Sequence, residues 1–567
     1  MWPWRVYLFC TAPALAAMQA AAEAIMPNGA VERLMFGRLR LDGGATYASN
    51  VLCTTAQRDG WIAVVQAIGD PALARYYVVD NDGPDTVLYR ASNSAYFAES
   101  QVGAGKSFDA AHTDYIRPVH TALVAAADGT ARGTGTLASP VDLATALAQI
   151  APGGMVQLRG GKYRGVFGVS TAWNTGKYLT IRAYRGEHVE IDGGLVLNTD
   201  WIDVRGLEFY DSNPDRVSAQ SGSDPADLTR KAGISSSAAR HIRLINNIIH
   251  DGGNGILARG DGPWLVYGNV VYHNGWTGLD GRHGHGLYTN AGAGRETYTV
   301  RHNVMLNPFA YNLHAFSQWA DAAIAHYAVT ANALVQRNSI VAGTLAAGGA
   351  HDVTFEDNLL YNSDVHFGYA VDNMGLSVRR NRFAGEAFWT FLDCQDWSGA
   401  LVSDNVFYAA NGSPFARIDD DWSGAWDGNL YHEGGRGNRY FRNADYFTFA
   451  AWQRLGFDAA GREIAGAPAD AAVLIPNEYD AGRALLAVYN FSEAASVTVD
   501  VSAWADEGAT VRVHNPLAFW TDLTELTVAG GAIAVPMTGW TNPAPLGLAE
   551  ALYASTLPAF GVFVLTQ

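Results

Sequence analysis

Cysteine is scarce in this 567-residue chain. Its three copies, Cys10, Cys53 and Cys394, are odd in number and far apart, which excludes a disulfide framework and any zinc-ligand spacing. The fold therefore does not depend on an oxidising environment. Lysine is nearly absent: only Lys106, Lys162, Lys177 and Lys231 occur, against 34 arginines. Basic residues total 38 and acidic ones 55, a net charge of −17. That balance excludes nucleic acid as a partner, and a strongly anionic polymer would need a local basic patch. Charged residues of all kinds make up 16%, too few for a disordered or coiled-coil chain. No run is long and apolar enough to span a membrane. The Gly103-Ala104-Gly105-Lys106-Ser107 stretch lacks the spaced glycine of a phosphate-binding loop. Apolar residues (49%) and 61 glycines remain, the composition of a turn-rich β protein.

One phrase organises the middle of the chain. An extended apolar run, an Asn and a second apolar run appear as Ile242–Ile249, return as Leu265–Tyr272 and Val300–Val304, and recur around Asn338, Asn358, Asn381 and Asn405. Counted from Asn247, the spacings are 22, 34, 35, 20, 23 and 24 residues. A period near two dozen with its own turn in each unit is the mark of a solenoid, and β-type units predict coils of a parallel β-helix. Asn tolerates the left-handed conformation of a coil corner, and stacked copies form a ladder of amide hydrogen bonds. The repeated asparagines are thus expected to be scaffold. The long gaps after Asn269 and Asn303 are expected to carry function.

The rest divides around this solenoid. Residues 1–92 predict a small α/β domain. Trp4 to Cys10 is a strand, and Leu15, Met18, Ala22, Ile25 and Met26 repeat at helical spacing before an Asn28-Gly29 stop. Its first 17 residues also have the outline of a signal peptide; the folded start is the reading taken. Val31–Leu41, Trp61–Ile68, Ala74–Val79 and Thr86–Tyr89 follow as extended runs, the last two joined by an Asn81–Pro84 turn. Residues 93–130 are a connector and 131–425 the β-helix, whose first helix starts at Ser139-Pro140 with Asp142 in its first turn and runs through Ile150. Residues 426–465 read as a linker and cap. Residues 466–567, with short strands at Leu485–Phe491, Val497–Val501, Thr510–His514, Ile533–Met537 and Gly561–Leu565, predict a β-sandwich.

Ala138-Ser139-Pro140, the helix after it, and Val156 to Gly165 resemble the opening of right-handed parallel β-helix proteins of the pectate-lyase-like and phage-tailspike-like class. Gly284 to Asn290 resembles a coil phrase of bacterial members. The resemblance covers about residues 130–425 and implies a fold and carbohydrate polymers as partners. It does not separate lyases, hydrolases and non-catalytic spikes.

Aligning the coils on Gly255-Ile256, Gly286-Leu287 and Asn312-Leu313 places Leu257, Tyr288 and His314 on one outer face, since strand side chains alternate. Arg259, Asn290 and Phe316 lie two residues on. Asp280 to His285 and Tyr311 are expected to wall a groove there. His314, His285, Tyr288, Asp280 and Arg282 are the candidate catalytic residues, and Arg259, Asn290, Tyr311 and Phe316 the candidate sugar-binding ones. β-Elimination would use His314, His285 or Tyr288 as base with Arg259 or Arg282 neutralising a carboxylate. Hydrolysis would use two carboxylates from among Asp251, Asp280, Asp364, Asp372 and Asp393. No metal is expected at these residues, and Asp419-Asp420-Asp421 leaves calcium open. His250, His273 and His302 read as corner residues. The function expected first is that of a phage or phage-like spike on a virion or particle surface. Residues 1–92 would hold the particle, the solenoid would recognise a host-surface polysaccharide with or without cleaving it, and a homotrimer is compatible with that reading. An exported bacterial lyase or hydrolase, or a non-catalytic adhesin, are the alternatives.

Overall fold

The structure is a computed structural model and describes residues 4–11, 14–25, 40–41, 46–53, 55–68, 74–80, 87–91, 116–170, 176–259, 262–290, 296–317, 324–336, 339–344, 349–369, 372–434, 439–442 and 445–567. The chain divides into two compact units, one of residues 1–159 and 170–184, the other of residues 160–169 and 185–567.

The first unit begins as the sequence predicts, with strand Trp4–Thr11 and helix Leu15–Ile25. Trp4–Thr11 pairs antiparallel with Thr46–Cys53 on one side and Ala74–Asp80 on the other. The stretch expected to be extended at Trp61–Ile68 belongs instead to a helix, Thr55–Gln66. Trp61, Val64 and Val65 are buried, and their i, i+3, i+4 spacing puts them on one helical face, where they pack with Leu8, Cys10, Met18 and Ala22. Val87–Ala91 does not join this sheet; it pairs with Ile116–Ala125, which runs parallel to Ile150–Leu158. The helix expected from Ser139-Pro140 starts later, at Leu143–Gln149, because Asp142 is its cap: the Asp142 carboxylate accepts from Thr145 N at 2.8 Å. The Asn28-Gly29 stop, most of the Val31–Leu41 run and the Asn81–Pro84 turn lie outside the described residues.

The second unit is a parallel β-helix with an antiparallel domain on its flank. Each coil has three short strands, giving three faces. Face A runs from Ile202–Arg205 through Ile242–Ile245, Trp264–Tyr267 and Tyr298–Arg301 to Gly424–Asp427. Face B holds Ile248–His250, Val270–Tyr272, Val304–Leu306, Ala333–Val335 and Leu359–Tyr361, and continues to Arg462–Ala465. Face C holds Ile256–Ala258, His285–Thr289, Tyr311–Ser317, Ser339–Thr344, Val365–Phe367, Leu392–Cys394, Ala416–Ile418 and Tyr440–Arg442.

The asparagine ladder runs at the corner between faces A and B. Asn247, Asn269, Asn303, Asn332, Asn358, Asn381 and Asn405 are each 0% exposed. Each donates its side-chain amide to the next Asn Oδ1 at 2.9–3.0 Å, and each backbone N–H points at the same oxygen. Two details differ from the sequence reading. The fourth rung is Asn332; Asn338 lies outside the described residues. The left-handed conformation belongs to the residue before each rung, as in Asn246 (φ 56°), His302 (φ 61°), Asp357 (φ 58°) and Asp404 (φ 59°). The rung itself must stay free to turn its amide inward. The ladder also runs past residue 425, through Asn429 to Asp458, which accepts from the Asn429 amide at 2.9 Å and from Tyr431 Oη at 2.6 Å. Replacing Asn332 by Ala strips the Asn303 backbone N–H of its acceptor, removes one of the Asn303 amide's acceptors and takes the Asn332 amide donor from Val300 O. Buried unsatisfied groups cost about 1–3 kcal/mol each, so the urea midpoint should fall by the equivalent of about 2–3 kcal/mol.

Face B is apolar on both sides. Its middle residues, such as Val271, Met305, Leu334 and Leu360, fill the coil interior. Its outer residues, including Val270, Tyr272, Leu306, Val335 and Tyr361, pack against Leu485, Ala487, Tyr489, Phe519, Phe560 and Val562 of the C-terminal domain. That domain holds a five-stranded antiparallel sheet that includes Arg483–Tyr489 and Phe560–Thr566, and a two-stranded sheet of Ser496–Asp500 and Ala532–Pro536. A separate core of Leu486, Val488, Val511, Val513, Ile533 and Leu565 lies between the sheets. Face A carries paired charges outside, such as Arg205 with Asp203 and Arg380 with Glu356 and Asp357. Face C is left to meet solvent.

Candidate functional site

Strand alternation and parallel register build the site. On face C, Leu257, Tyr288 and His314 stand opposite one another on successive coils, while Ile256, Leu287 and Leu313 point inward and are 0% exposed. This is the register the glycine and asparagine phrases predict. The row continues as Ile340, His366, Asp393, Arg417 and Phe441. Buried neighbours pin each outward side chain: Val365 and Phe367 flank His366, and Leu392 and Cys394 flank Asp393.

Around the later half of that row the surface sinks into a groove of about 560 Å³. It is lined by Tyr311, Asp364, His366, Tyr369, Trp389, Thr390, Asp393, Pro414, Arg417, Phe441 and Tyr446. Rings form its rim: Trp389 is 72% and Tyr446 58% exposed, and the Arg417 guanidinium lies 5.6 Å from the Phe441 ring centre. Two carboxylates lie in it, Asp364 at 4% and Asp393 at 6% exposure. Asp364 Oδ2 accepts from the backbone N–H of Trp389 at 3.1 Å and so fixes the loop that carries the rim. Asp393 lies 3.1 Å from His366 Nδ1, and accepts from Arg417 at 3.3 Å and from Gln395 Nε2 at 3.2 Å. His366 Nδ1 faces that carboxylate. Its Nε2 is buried and has no hydrogen-bond partner among the described residues. Burial raises the Tyr369 hydroxyl to about 12, so it stays protonated as a donor.

The candidates from the sequence fall into two places. His285 and His314 meet, Nε2 to Nδ1, at 3.2 Å. Tyr311 stacks on His285 at 5.3 Å, Tyr288 on His314 at 5.1 Å, and Phe316 on His314 at 5.0 Å. Burial lowers the His314 pKa to about 3. Burial, then the neighbouring His314 and His283, holds that of His285 well below the ordinary value. Burial raises Tyr288, against the pull of the nearby Arg259. Arg259 is exposed, and Asn290 Oδ1 is buried with no hydrogen-bond partner among the described residues. Tyr311 opens a face C strand instead of forming a separate wall, and joins this cluster to the groove.

Asp280 and Arg282 sit elsewhere, on a hairpin of Trp276–Gly278 and Gly281–His283. Asp280 accepts from Gly222 N at 3.0 Å and contacts His283 Nε2 at 2.8 Å. Arg282 donates to Tyr553 Oη at 3.3 Å and lies over that ring. Both tie the hairpin to neighbouring segments, and neither lines the groove. His273 and His302 are left-handed corner residues (φ 53° and 61°), and His250 precedes the left-handed Asp251 (φ 52°). Asp419 accepts from Asp396 N at 2.8 Å, and Asp420 contacts Arg442 at 3.3 Å. Among the described residues no group of three His, Cys, Asp or Glu is placed to hold a metal ion.

Arg417, Phe441, Trp389 and Tyr446 were not singled out from the sequence. A signal existed for two of them. Asp393, Arg417 and Phe441 each lie twelve residues after a rung, Asn381, Asn405 and Asn429. Trp389 and Tyr446 leave the repeat and carry no such mark.

No family model matches the chain, and no curated protein is similar to it in sequence. Among solved structures, it is similar to pectate lyase Pel9A, at 11% identity over 61% of this chain and 74% of that one, with a TM-score of 0.26. It is also similar to the receptor-binding protein of bacteriophage Det7, a podoviral tailspike in a myovirus, at 10% identity over 72% of this chain and 90% of that one, with a TM-score of 0.21.

Proposed function

We propose that the protein binds a polysaccharide along face C and hydrolyses it, with Asp364 and Asp393 as the carboxylate pair. The observation that carries this reading is the presence of two nearly buried carboxylates in one ring-walled groove. Sugar faces pack on rings, sugar hydroxyls need polar partners, and glycoside hydrolysis needs one carboxyl to protonate the leaving oxygen and a second to act as base or nucleophile. Arg417 is the only cationic side chain lining the groove among the described residues, and Asp393 already engages it. A densely anionic chain would find little to neutralise it there.

β-Elimination is the second reading, and one observation favours it. His366 lines the groove and its Nε2 has no hydrogen-bond partner among the described residues; with the proton on Nδ1, that nitrogen would offer the lone pair a general base needs. Incubation with a panel of capsular and exopolysaccharides separates the two. Hydrolysis releases reducing ends without absorbance near 235 nm; elimination releases both together. Binding without either product would leave an adhesin. The N-terminal domain is proposed to attach the chain to a particle surface, in the manner of a spike, with export as a free enzyme the alternative.

A further inference from the structure

We propose that the His285–His314 pair and the rings around it form a second glycan subsite, built for an uncharged sugar unit of the chain held in the groove. This inference rests on the proposed glycan reading of face C and adds the polymer's character at a second position.

The cluster has the parts of a binding surface and lacks those of a catalytic one. Its two imidazoles bond to each other at 3.2 Å. Neither is hydrogen-bonded to a carboxylate among the described residues, so no group orients one of them as a base or stabilises its charged form. Burial keeps both neutral across the physiological range. Tyr288, His314 and Phe316 are half-buried, neither sealed in the core nor fully exposed. Stacked rings at that depth give a sugar an apolar face to lie on. His285 Nδ1 and Asn290 Oδ1 are buried polar atoms without hydrogen-bond partners among the described residues, which is costly unless something hydrogen-bonds to them. A sugar hydroxyl both donates and accepts, so it suits both atoms.

Continuity identifies the occupant. Tyr311 lines the groove and stacks on His285, and Phe316 meets Tyr369 of the groove edge-on at 6.1 Å. His314 and His366 are two coils apart in one outward row, so at a strand spacing of about 4.8 Å they are separated by about 10 Å. One extended glycan can therefore touch both. The exposed Arg259 is the charge that acts on Tyr288, and a single edge cation is a poor match for a run of uronates.

The test is the kinetics of the full chain on neutral bacterial O-polysaccharides, galactomannan and xyloglucan, with polygalacturonate as the acidic comparator. Tyr288→Ala should raise KM for the polymer that is cleaved about tenfold and leave kcat within twofold. Tyr288→Phe should restore wild-type KM, which a mere folding defect would not show. Wild-type KM should be flat between pH 5 and 8, and binding to polygalacturonate weak. Cleavage with a Tyr288→Ala KM equal to wild type overturns the subsite alone. So does a fall in kcat at constant KM, or tighter binding of polygalacturonate than of any neutral polymer. If the wild type neither binds nor cleaves any of these polymers, the glycan reading of face C falls, and the subsite with it.

Discussion

Replacing Asp364 or Asp393 by Asn will lower kcat about 10³-fold on the polymer the protein cleaves, while the thermal midpoint stays close to that of the wild type. Removal of a positioned acid or base costs about 10²–10⁴ in rate, and about 10³ corresponds to about 4 kcal/mol of transition-state stabilisation. Stability should hold because an amide oxygen preserves the acceptors. In Asp393→Asn that oxygen can still accept from His366 and Gln395, and in Asp364→Asn it can still accept from Trp389 N. His366 then separates the chemistries. If it only orients Asp393, His366→Ala will cost far less than Asp364→Asn. If it is the base of an elimination, His366→Ala will be the most damaging of the three, and Asp364→Asn nearly silent. Full activity in both Asn variants would sink the hydrolytic assignment. The anomer released first reports the carboxylate separation, since a retaining enzyme holds its pair closer than an inverting one.

The architecture was legible because the solenoid repeats one physical requirement. Every coil needs an inward amide at the same corner, so Asn returns in phase with apolar runs on either side. The phase was lost once. Spacing alone favours Asn338 as a rung, although Asn332-Ala333-Leu334-Val335 repeats the pattern of Asn303-Val304-Met305-Leu306. That slip lengthened the gap after Asn303 and drew the site towards it, whereas the groove lies mainly on the coils of Asn358, Asn381, Asn405 and Asn429. A second signal went unread. Val270-Val271-Tyr272, Val304-Met305-Leu306 and Leu359-Leu360-Tyr361 are apolar without alternation, which requires cover on both sides of the strand. The C-terminal domain supplies that cover, which makes face C the open one. The rim escaped for a different reason. Trp389 sits in a connection that the Asp364–Trp389 hydrogen bond aims, and Tyr446 on Asp445–Phe447, an antiparallel strand outside the repeat that sets it opposite Phe441; no period marks either.

The largest loss of stability is expected from Arg216→Met, about 3–5 kcal/mol, because the substitution takes the guanidinium from the buried Asp251, leaving it His250 alone as a charged partner, and strips three backbone carbonyls of that donor. The Arg216 side chain is 1% exposed and that of Asp251 5%. The guanidinium pairs with Asp251 and donates to His273 O at 2.9 Å and to Gly275 O and Leu546 O at 2.6 Å each. Asp251 Oδ1 accepts in turn from Leu546 N at 2.9 Å. One ion pair thus clamps the 211–233 insertion, the corner of face B and a loop of the C-terminal domain. Behind it, His250 lies between Asp251 (2.7 Å) and Glu208 (2.8 Å) and stacks on Tyr210 and Tyr272; Glu208 also meets His188, which stacks on Trp520. Burial opposes a charged His250, but the two carboxylates prevail and raise its pKa to about 9. A raised histidine stabilises fully below its unfolded value of about 6.5, and that contribution is lost as pH climbs to about 9. Glu208 works from the acid side. Against the cost of burial, its two histidines lower it to about 2, so its contribution is present above about 4.5 and fades as pH falls towards 2. His273, held down to about 4 by burial, adds to the acid loss, since only the unfolded chain takes up its proton between pH 6.5 and 4. The melting temperature should therefore peak near pH 6.5 and decline on both sides. His250→Gln should flatten the alkaline limb between pH 6.5 and 9, because glutamine has no proton to lose there. An alkaline limb of unchanged slope in that variant would mean that the charge on this histidine does not hold the clamp shut.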